Sequence, residues 1–235
     1  MSRKAVLFDA GNTLLFLDYP RLAPAVAQAT GVPLTAESLA LQARPAALSL
    51  ERGDTTDRER ASRYLETLFR LAGVPESQMP VVRETLLALH LEKHLWGGVL
   101  DGTIEALDRL RSAGYRLGVV SNSDGRAEEG LEAAGLRGYF EVVIDSQLVG
   151  FEKPDPRIFE AALRRMALAP EEAIYVGDIY EVDVVGARRA RMDVVLLDPL
   201  GNHAGRDVPI AASLAEVVEM VLAPTGSLTA APART

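Results

Sequence analysis

The sequence contains no cysteine. Disulfides, thiol nucleophiles and thiolate metal sites are thereby excluded, and any metal must be held by oxygen or imidazole ligands. Nowhere does the chain run through the roughly 18 uninterrupted apolar residues that a membrane-spanning helix needs. An excess of positive charge is missing too: 33 acidic residues stand against 25 basic ones, a formal net charge of -8. That balance disfavours nonspecific attraction to nucleic acid or an anionic membrane, so an anionic substrate has to be drawn by a local site. The opening MSRKAVLF sets two basic residues before an apolar run, but Asp9 ends the run well short of a signal-peptide core. These absences together describe a cytoplasmic protein with no nucleic-acid or membrane partner, expected as a monomer or homodimer.

What is present is an ordinary globular composition, 48% hydrophobic and 25% charged over 235 residues, enough for one domain with a core or a main domain with an insert. Short apolar runs at AVLF (5–8), LGVV (117–120), EVVI (141–144), AIYV (173–176) and VVLL (194–197) read as strands. Helical patterns lie between them at 103–114, 126–135, 155–168 and 181–191, the first two ending at Gly114 and Gly135, where a left-handed cap is expected. Apolar strands alternating with helices predict an α/β fold, a doubly wound Rossmann-like parallel sheet covered on both faces. Residues 18–95 break the rhythm with about 75 residues of helical spacing and no convincing strand, too long for a crossover loop. The expected organisation is a core of residues 1–17 and 96–222, an inserted all-helical cap over 18–95, and a disordered tail over 223–235.

In open parallel sheets, ligands bind beyond the carboxyl ends of the strands. Asp9 follows the first strand, Ser121 and Asn122 follow LGVV, Lys153 sits in the loop GFEKPDP, and Asp178 follows AIYV, with Asp183 five residues further on. Three carboxylates converging on one place repel one another and raise a pKa. A hard divalent cation relieves that conflict, and oxygen ligands suit magnesium. Such a cation would bridge to a substrate phosphate met also by the Ser121 hydroxyl, backbone N–H groups and the Lys153 ammonium. A carboxylate oxygen of Asp9 is then free to attack phosphorus.

The set FDAGNTL, VVSNSD, GFEKPDPRIF and VGDIYEVD resembles, in order and spacing, the four motifs of the haloacid dehalogenase superfamily. The resemblance spans roughly residues 4 to 200, and the helical insert is similar to the smaller helical cap type of its first subfamily. It implies that Asp9 is the nucleophile and a metal ligand, that the Gly11 carbonyl also faces the metal, and that Thr13 orients the loop. By the same resemblance Ser121 and Lys153 hold the transferring phosphoryl group, Asn122 supports the loop, and Asp178 ligates Mg2+, with Asp183 binding it directly or through water.

Position 11 departs from the pattern. The superfamily's phosphatases carry there a second Asp that protonates the leaving alcohol and then activates water, whereas this chain has glycine. Such a donor contributes about 100- to 10,000-fold in rate, roughly 3 to 5 kcal/mol. One reading is a phosphohydrolase of a small phosphorylated substrate with a good leaving group, such as an acyl or aryl phosphate, or one that borrows an acid from the cap. The surroundings of position 11 also look like the rhythmically expressed branch of the family, where this acid is not always present. A second reading, a different bond cleaved on the same scaffold, fares poorly. Phosphonoacetaldehyde hydrolases need a cap lysine, but the lysines here are Lys4, Lys93 and Lys153, with Lys93 at the exit hinge. Haloacid dehalogenases need no metal, and Asp178 and Asp183 would repel their nucleophile. The third reading is a regulatory module that binds phosphate and metal with little turnover.

Other polar residues carry plainer expectations. His90, His94 and Trp96 read as hinge packing, with a replacement acid there as the alternative. Asp18 and Tyr19 lie where the chain enters the cap. Asp124 and Arg126 read as loop salt-bridge partners, His203 as a surface histidine, and Arg188 to Arg191 as a solvated helix end.

Overall fold

The computed structural model describes residues 3–48 and 57–223, and the chain divides into two compact units: Leu17–Gly98, and the segments on either side of it. From the amino terminus, β1 (Ala5–Phe8) and the two-residue β2 (Phe16–Leu17) precede α1 (Tyr19–Thr30), α2 (Ala36–Leu48), α3 (Asp57–Leu71) and α4 (Met79–Glu92). β3 (Trp96–Gly98), which pairs with β2, is followed by α5 (Thr103–Ser112), β4 (Arg116–Ser121), α6 (Ala127–Ala133), β5 (Val142–Asp145) and the short α7 (Ser146–Val149). The chain continues through α8 (Pro156–Met166), β6 (Ala173–Gly177), α9 (Val185–Arg189), β7 (Asp193–Leu197), β8 (Ile210–Ala211) and α10 (Leu214–Leu222).

Six strands form one parallel sheet in the order β5-β4-β1-β6-β7-β8. Winding proceeds outward from β1 through β4 to β5, then resumes on its other side with β6, so the sheet is doubly wound. The carboxyl ends of β1, β4 and β6 therefore flank the topological switch point, where such folds open a crevice. β1 is buried along its whole length, which is why its run is apolar without alternation. The sheet also explains Gly118: a Cβ there would lie 2.7 Å from Leu7 Cδ2 and 2.9 Å from Val142 Cγ2.

α8 shows how the sequence builds a covering helix. Asp155 accepts the Arg157 N–H at 2.9 Å as its N-cap, and Pro156 occupies the first turn, where its missing N–H costs nothing. Ile158, Phe159, Ala162, Leu163 and Met166 then make one buried stripe, the larger side chains each contributing about 1.5 to 3 kcal/mol. Gly114 and Gly135, after α5 and α6, have φ of 88° and 73°. The helical pattern expected over 181–191 is instead a π-helical turn, Tyr180–Val184, followed by α9. β8 was not foreseen, because two residues carry no periodicity.

The Leu17–Gly98 unit has its own core, in which Leu22, Val26, Leu39, Leu68, Phe69, Met79, Val82 and Leu86 are buried. The Arg21 guanidinium donates to the carbonyls of Leu89, Lys93 and His94, capping the end of α4. Pro24 and Pro45 lie inside α1 and α2 rather than between helices. The tail expected from residue 223 lies, apart from Ala223, outside the described residues.

Candidate active site

Asp9 is the first residue beyond β1. Its N–H donates to the Val176 carbonyl at 2.8 Å, so the sheet register continues to the base of the carboxylate. The chain then curls tightly: Leu14 and Leu15 both donate to the Ala10 carbonyl, and Asn12, at φ 55°, donates to that of Leu15. Gly11 forms an isolated bridge with Leu15 inside this turn. Thr13 is fully buried, and its hydroxyl has no hydrogen-bond partner among the described residues.

Ser121 ends β4 and is buried. The next residue, Asn122, clamps the lysine loop from both sides: its Oδ1 accepts the Lys153 N–H at 2.7 Å and its Nδ2 donates to the Lys153 carbonyl at 3.0 Å. The turn after Asn122 is held in turn by β5. Asp145 accepts N–H groups from Gly125, Ala127 and Gln147, and the Ser146 hydroxyl bonds both backbone groups of Ser123. Sequence reasoning did not single out Asp145 or Ser146.

Lys153 precedes a cis Pro154, and its side chain is only 2% exposed. Its ammonium donates to Asp9 Oδ1 at 2.6 Å, Asp183 Oδ1 at 2.8 Å and the Tyr175 hydroxyl at 3.0 Å. The π-helical turn brings Asp183 back under the end of β6, where its Oδ2 accepts the N–H groups of Asp178 at 3.1 Å and Ile179 at 2.9 Å. That return requires a glycine at the strand end. A Cβ on Gly177 would lie 2.4 Å from Asp183 Cγ.

Burial pushes the Asp9 carboxyl up to about 7, with Lys153 pulling it back and Asp183 adding repulsion. Asp178, partly exposed, is pushed upward by desolvation and by the charges of Asp9 and Asp183. Burial opposes the Lys153 charge, yet Asp183 and Asp9 hold its pKa well above the ordinary lysine value. Carboxylate oxygens of Asp9, Asp178 and Asp183 all lie within 4.8 Å of one another. Three carboxylates against one ammonium leave an excess of negative charge on oxygen donors alone, a set that fits a hard divalent cation such as magnesium.

Several other candidates have partners of their own. His203 is buried rather than at the surface, its N–H donating to Asp198 Oδ2 at 2.7 Å in the loop after β7. Arg126 pairs with Glu129 at 2.5 Å, and Arg188 pairs with Asp207 and meets the Tyr180 hydroxyl. Within the helical unit the rings of His90 and His94 are 4.9 Å apart and those of His94 and Trp96 6.1 Å apart. Asp18 pairs with Arg21 at 3.7 Å, and the Tyr19 hydroxyl meets that of Tyr64 at 3.5 Å.

Tyr175, which meets the Lys153 ammonium, is likewise not singled out in the sequence, being absorbed into the apolar run AIYV. The available signal was chemical: a tyrosine in a fully buried strand needs a partner for its hydroxyl.

The family model for haloacid dehalogenase-like hydrolases matches residues 3–191. A glyceraldehyde 3-phosphate phosphatase of Methanothermobacter thermautotrophicus is 34% identical over 210 residues, covering 87% of this chain and 89% of its own. A haloacid dehalogenase-like hydrolase domain-containing protein of mouse is 41% identical over 145 residues, 60% of this chain, and the match spans only 57% of that relative's length. Among solved structures, a HAD phosphatase from Thermococcus onnurineus superposes with a TM-score of 0.59 at 25% identity, covering 93% of this chain and 98% of that one. A magnesium-bound HAD-hydrolase from Bacillus subtilis shares the fold, with a TM-score of 0.65 at 20% identity over 94% of this chain and 99% of its own.

Proposed function

Since the chain belongs to the haloacid dehalogenase-like hydrolase family, we propose that it is a magnesium-dependent phosphatase of small phosphorylated metabolites, working through an aspartyl phosphate on Asp9. The observation that carries this reading is the buried contact of Lys153 with both Asp9 and Asp183, beside Asp178, at the switch point of the sheet. The phosphatase names of similar proteins, for glyceraldehyde 3-phosphate and phosphoglycolate, support the substrate class.

Asp9, Asp178 and the Gly11 carbonyl would hold magnesium, with Asp183 directly or through water. When bound it supplies charge neutralisation for the carboxylates and for the phosphoryl oxygens. A carboxylate oxygen of Asp9 attacks phosphorus, the bond from phosphorus to the leaving oxygen breaks, and that oxygen departs with the electron pair. Lys153 and the Ser121 hydroxyl stabilise the negative charge that passes from Asp9 onto the phosphoryl oxygens. Water then adds to phosphorus, the Asp9–phosphorus bond breaks, and inorganic phosphate leaves with a proton released to solvent.

Gly11 supplies no proton to the leaving oxygen. Acyl and aryl phosphates, whose leaving groups depart without one, are therefore favoured over alkyl phosphates such as glyceraldehyde 3-phosphate and phosphoglycolate, which would need a proton from another residue. The same glycine favours a second reading, a phosphate- and metal-binding regulatory module with little turnover. Phosphate release from a panel of phosphorylated metabolites and aryl phosphates, with magnesium and with a chelator, tests the proposal. Turnover that needs magnesium supports it; turnover undiminished by the chelator overturns it.

A further inference from the structure

The Lys153 ammonium has three N–H donors and three buried acceptors: Asp9 Oδ1, Asp183 Oδ1 and the Tyr175 hydroxyl oxygen. Two of these are charged residues that the proposed reaction already uses. The third is a neutral side chain in the middle of a sheet strand, to which that reaction gives no role. Its ring is fixed from two directions, by the β6 register that places it beside Leu7 on β1 and Val194 on β7, and by the edge-to-face contact with Phe159, centroids 4.9 Å apart. The hydroxyl proton has its own acceptors, the Val120 carbonyl at 3.0 Å and Asp183 Oδ1 at 3.1 Å, which leaves the oxygen lone pairs turned to the ammonium.

We propose that Tyr175 is a positioning residue for Lys153, its hydroxyl being the rigid third acceptor that holds the ammonium between Asp9 and Asp183. A phenylalanine would fill the same volume and pack equally well against Phe159, so the hydroxyl is not needed for the core. A third carboxylate would fix the lysine but add negative charge to a site already rich in it. A neutral acceptor on a strand fixes the ammonium by geometry and leaves the charge balance alone. Without it, one N–H of a buried ammonium has no partner, and the side chain is free to turn away from Asp9.

The effect on turnover rests on the phosphatase reading, but the contact itself can be tested without it. The chain's lysines are Lys4, Lys93 and Lys153, so in full-length protein labelled with nitrogen-15 lysine the ammonium of Lys153 is readily distinguished by NMR. In the wild type it is expected to exchange slowly with water and to show a cross-peak to the Tyr175 ring. In folded Tyr175→Phe it is expected to exchange fast. With magnesium and an aryl phosphate, kcat should fall about 10- to 100-fold with little change in KM, and the loss should vanish in a Lys153→Met background. An unchanged Lys153 signal in folded Tyr175→Phe, or an equal loss of turnover in both backgrounds, overturns the proposal. If Tyr175→Phe fails to fold, the wild-type spectrum decides: a rapidly exchanging Lys153 ammonium with no contact to Tyr175 overturns it. Wild-type protein without turnover but with the protected, Tyr175-contacting ammonium counts against the phosphatase reading and leaves the positioning role standing.

Discussion

Lys153 Nζ lies 2.6 Å from Asp9 Oδ1, with both residues buried. Removing the ammonium leaves Asp9 and Asp183 facing each other without a cation. Lys153→Met is therefore expected to cost about 3 to 5 kcal/mol at neutral pH without divalent metal, as when one partner of a buried pair is deleted. Urea denaturation measures it. The loss should shrink at pH 5, where Asp9 takes up a proton, and an equal loss at both pH values would show that the contact is not electrostatic.

If Asp9 holds magnesium as proposed, magnesium and protons compete for it. Its carboxyl is raised from 3.8 to about 7 in the folded protein, so between those values the folded state binds more protons than the unfolded one. The contribution of this group to stability is accordingly fully present below about pH 4, falls as pH rises, and is lost above about pH 7. Metal binding displaces that proton, so the rise in Tm produced by magnesium should be larger at pH 8 than at pH 5.5. Thermal melts with and without magnesium check this, and a Tm gain independent of pH would refute it.

Gly177→Ala probes the close approach of Asp183 to the end of β6. The new methyl would lie 2.4 Å from the Asp183 carboxylate carbon, far inside van der Waals contact, forcing that side chain off the Lys153 ammonium and the Asp178 and Ile179 N–H groups. A displacement on the order of 1 Å typically costs about 100-fold in rate. The variant should therefore lose about that factor in metal-dependent phosphate release and melt at lower temperature. Wild-type activity would mean that the position of Asp183 does not matter.

These relationships divide into what spacing reveals and what only folding creates. AVLF is a strand at the same four residues that its apolar run indicates, because a strand covered on both faces leaves a continuous signature. Asp9, Asp178, Asp183 and Lys153 lie together because strand ends in a parallel sheet share one edge, a consequence of topology that the βα alternation already contains. The Tyr175 hydroxyl, the Asp145 anchor and the burial of His203 left no periodic trace, since each depends on partners distant in the chain or on loop shape. Nor does sequence spacing reveal that Asp183 needs a π-helical turn and a glycine before it to fold back beneath β6.

Restoring a carboxylate at position 11 tests the account of the missing acid. Gly11→Asp should raise turnover of alkyl phosphates, whose leaving oxygen must be protonated, by about 100-fold or more, and that of aryl phosphates much less. Steady-state kinetics on one substrate of each class measure the ratio. An equal change for both classes would mean that leaving-group protonation is not what the glycine removes.

The central claim is that Asp9 itself attacks phosphorus. Asp9→Asn keeps the shape of the side chain and removes the anionic nucleophile. The direct measurement is the rate of phosphate release from acetyl phosphate and an aryl phosphate with magnesium, wild type against Asp9→Asn. The account predicts turnover in the wild type and none above background in the variant, whereas identical rates in the two proteins would contradict it.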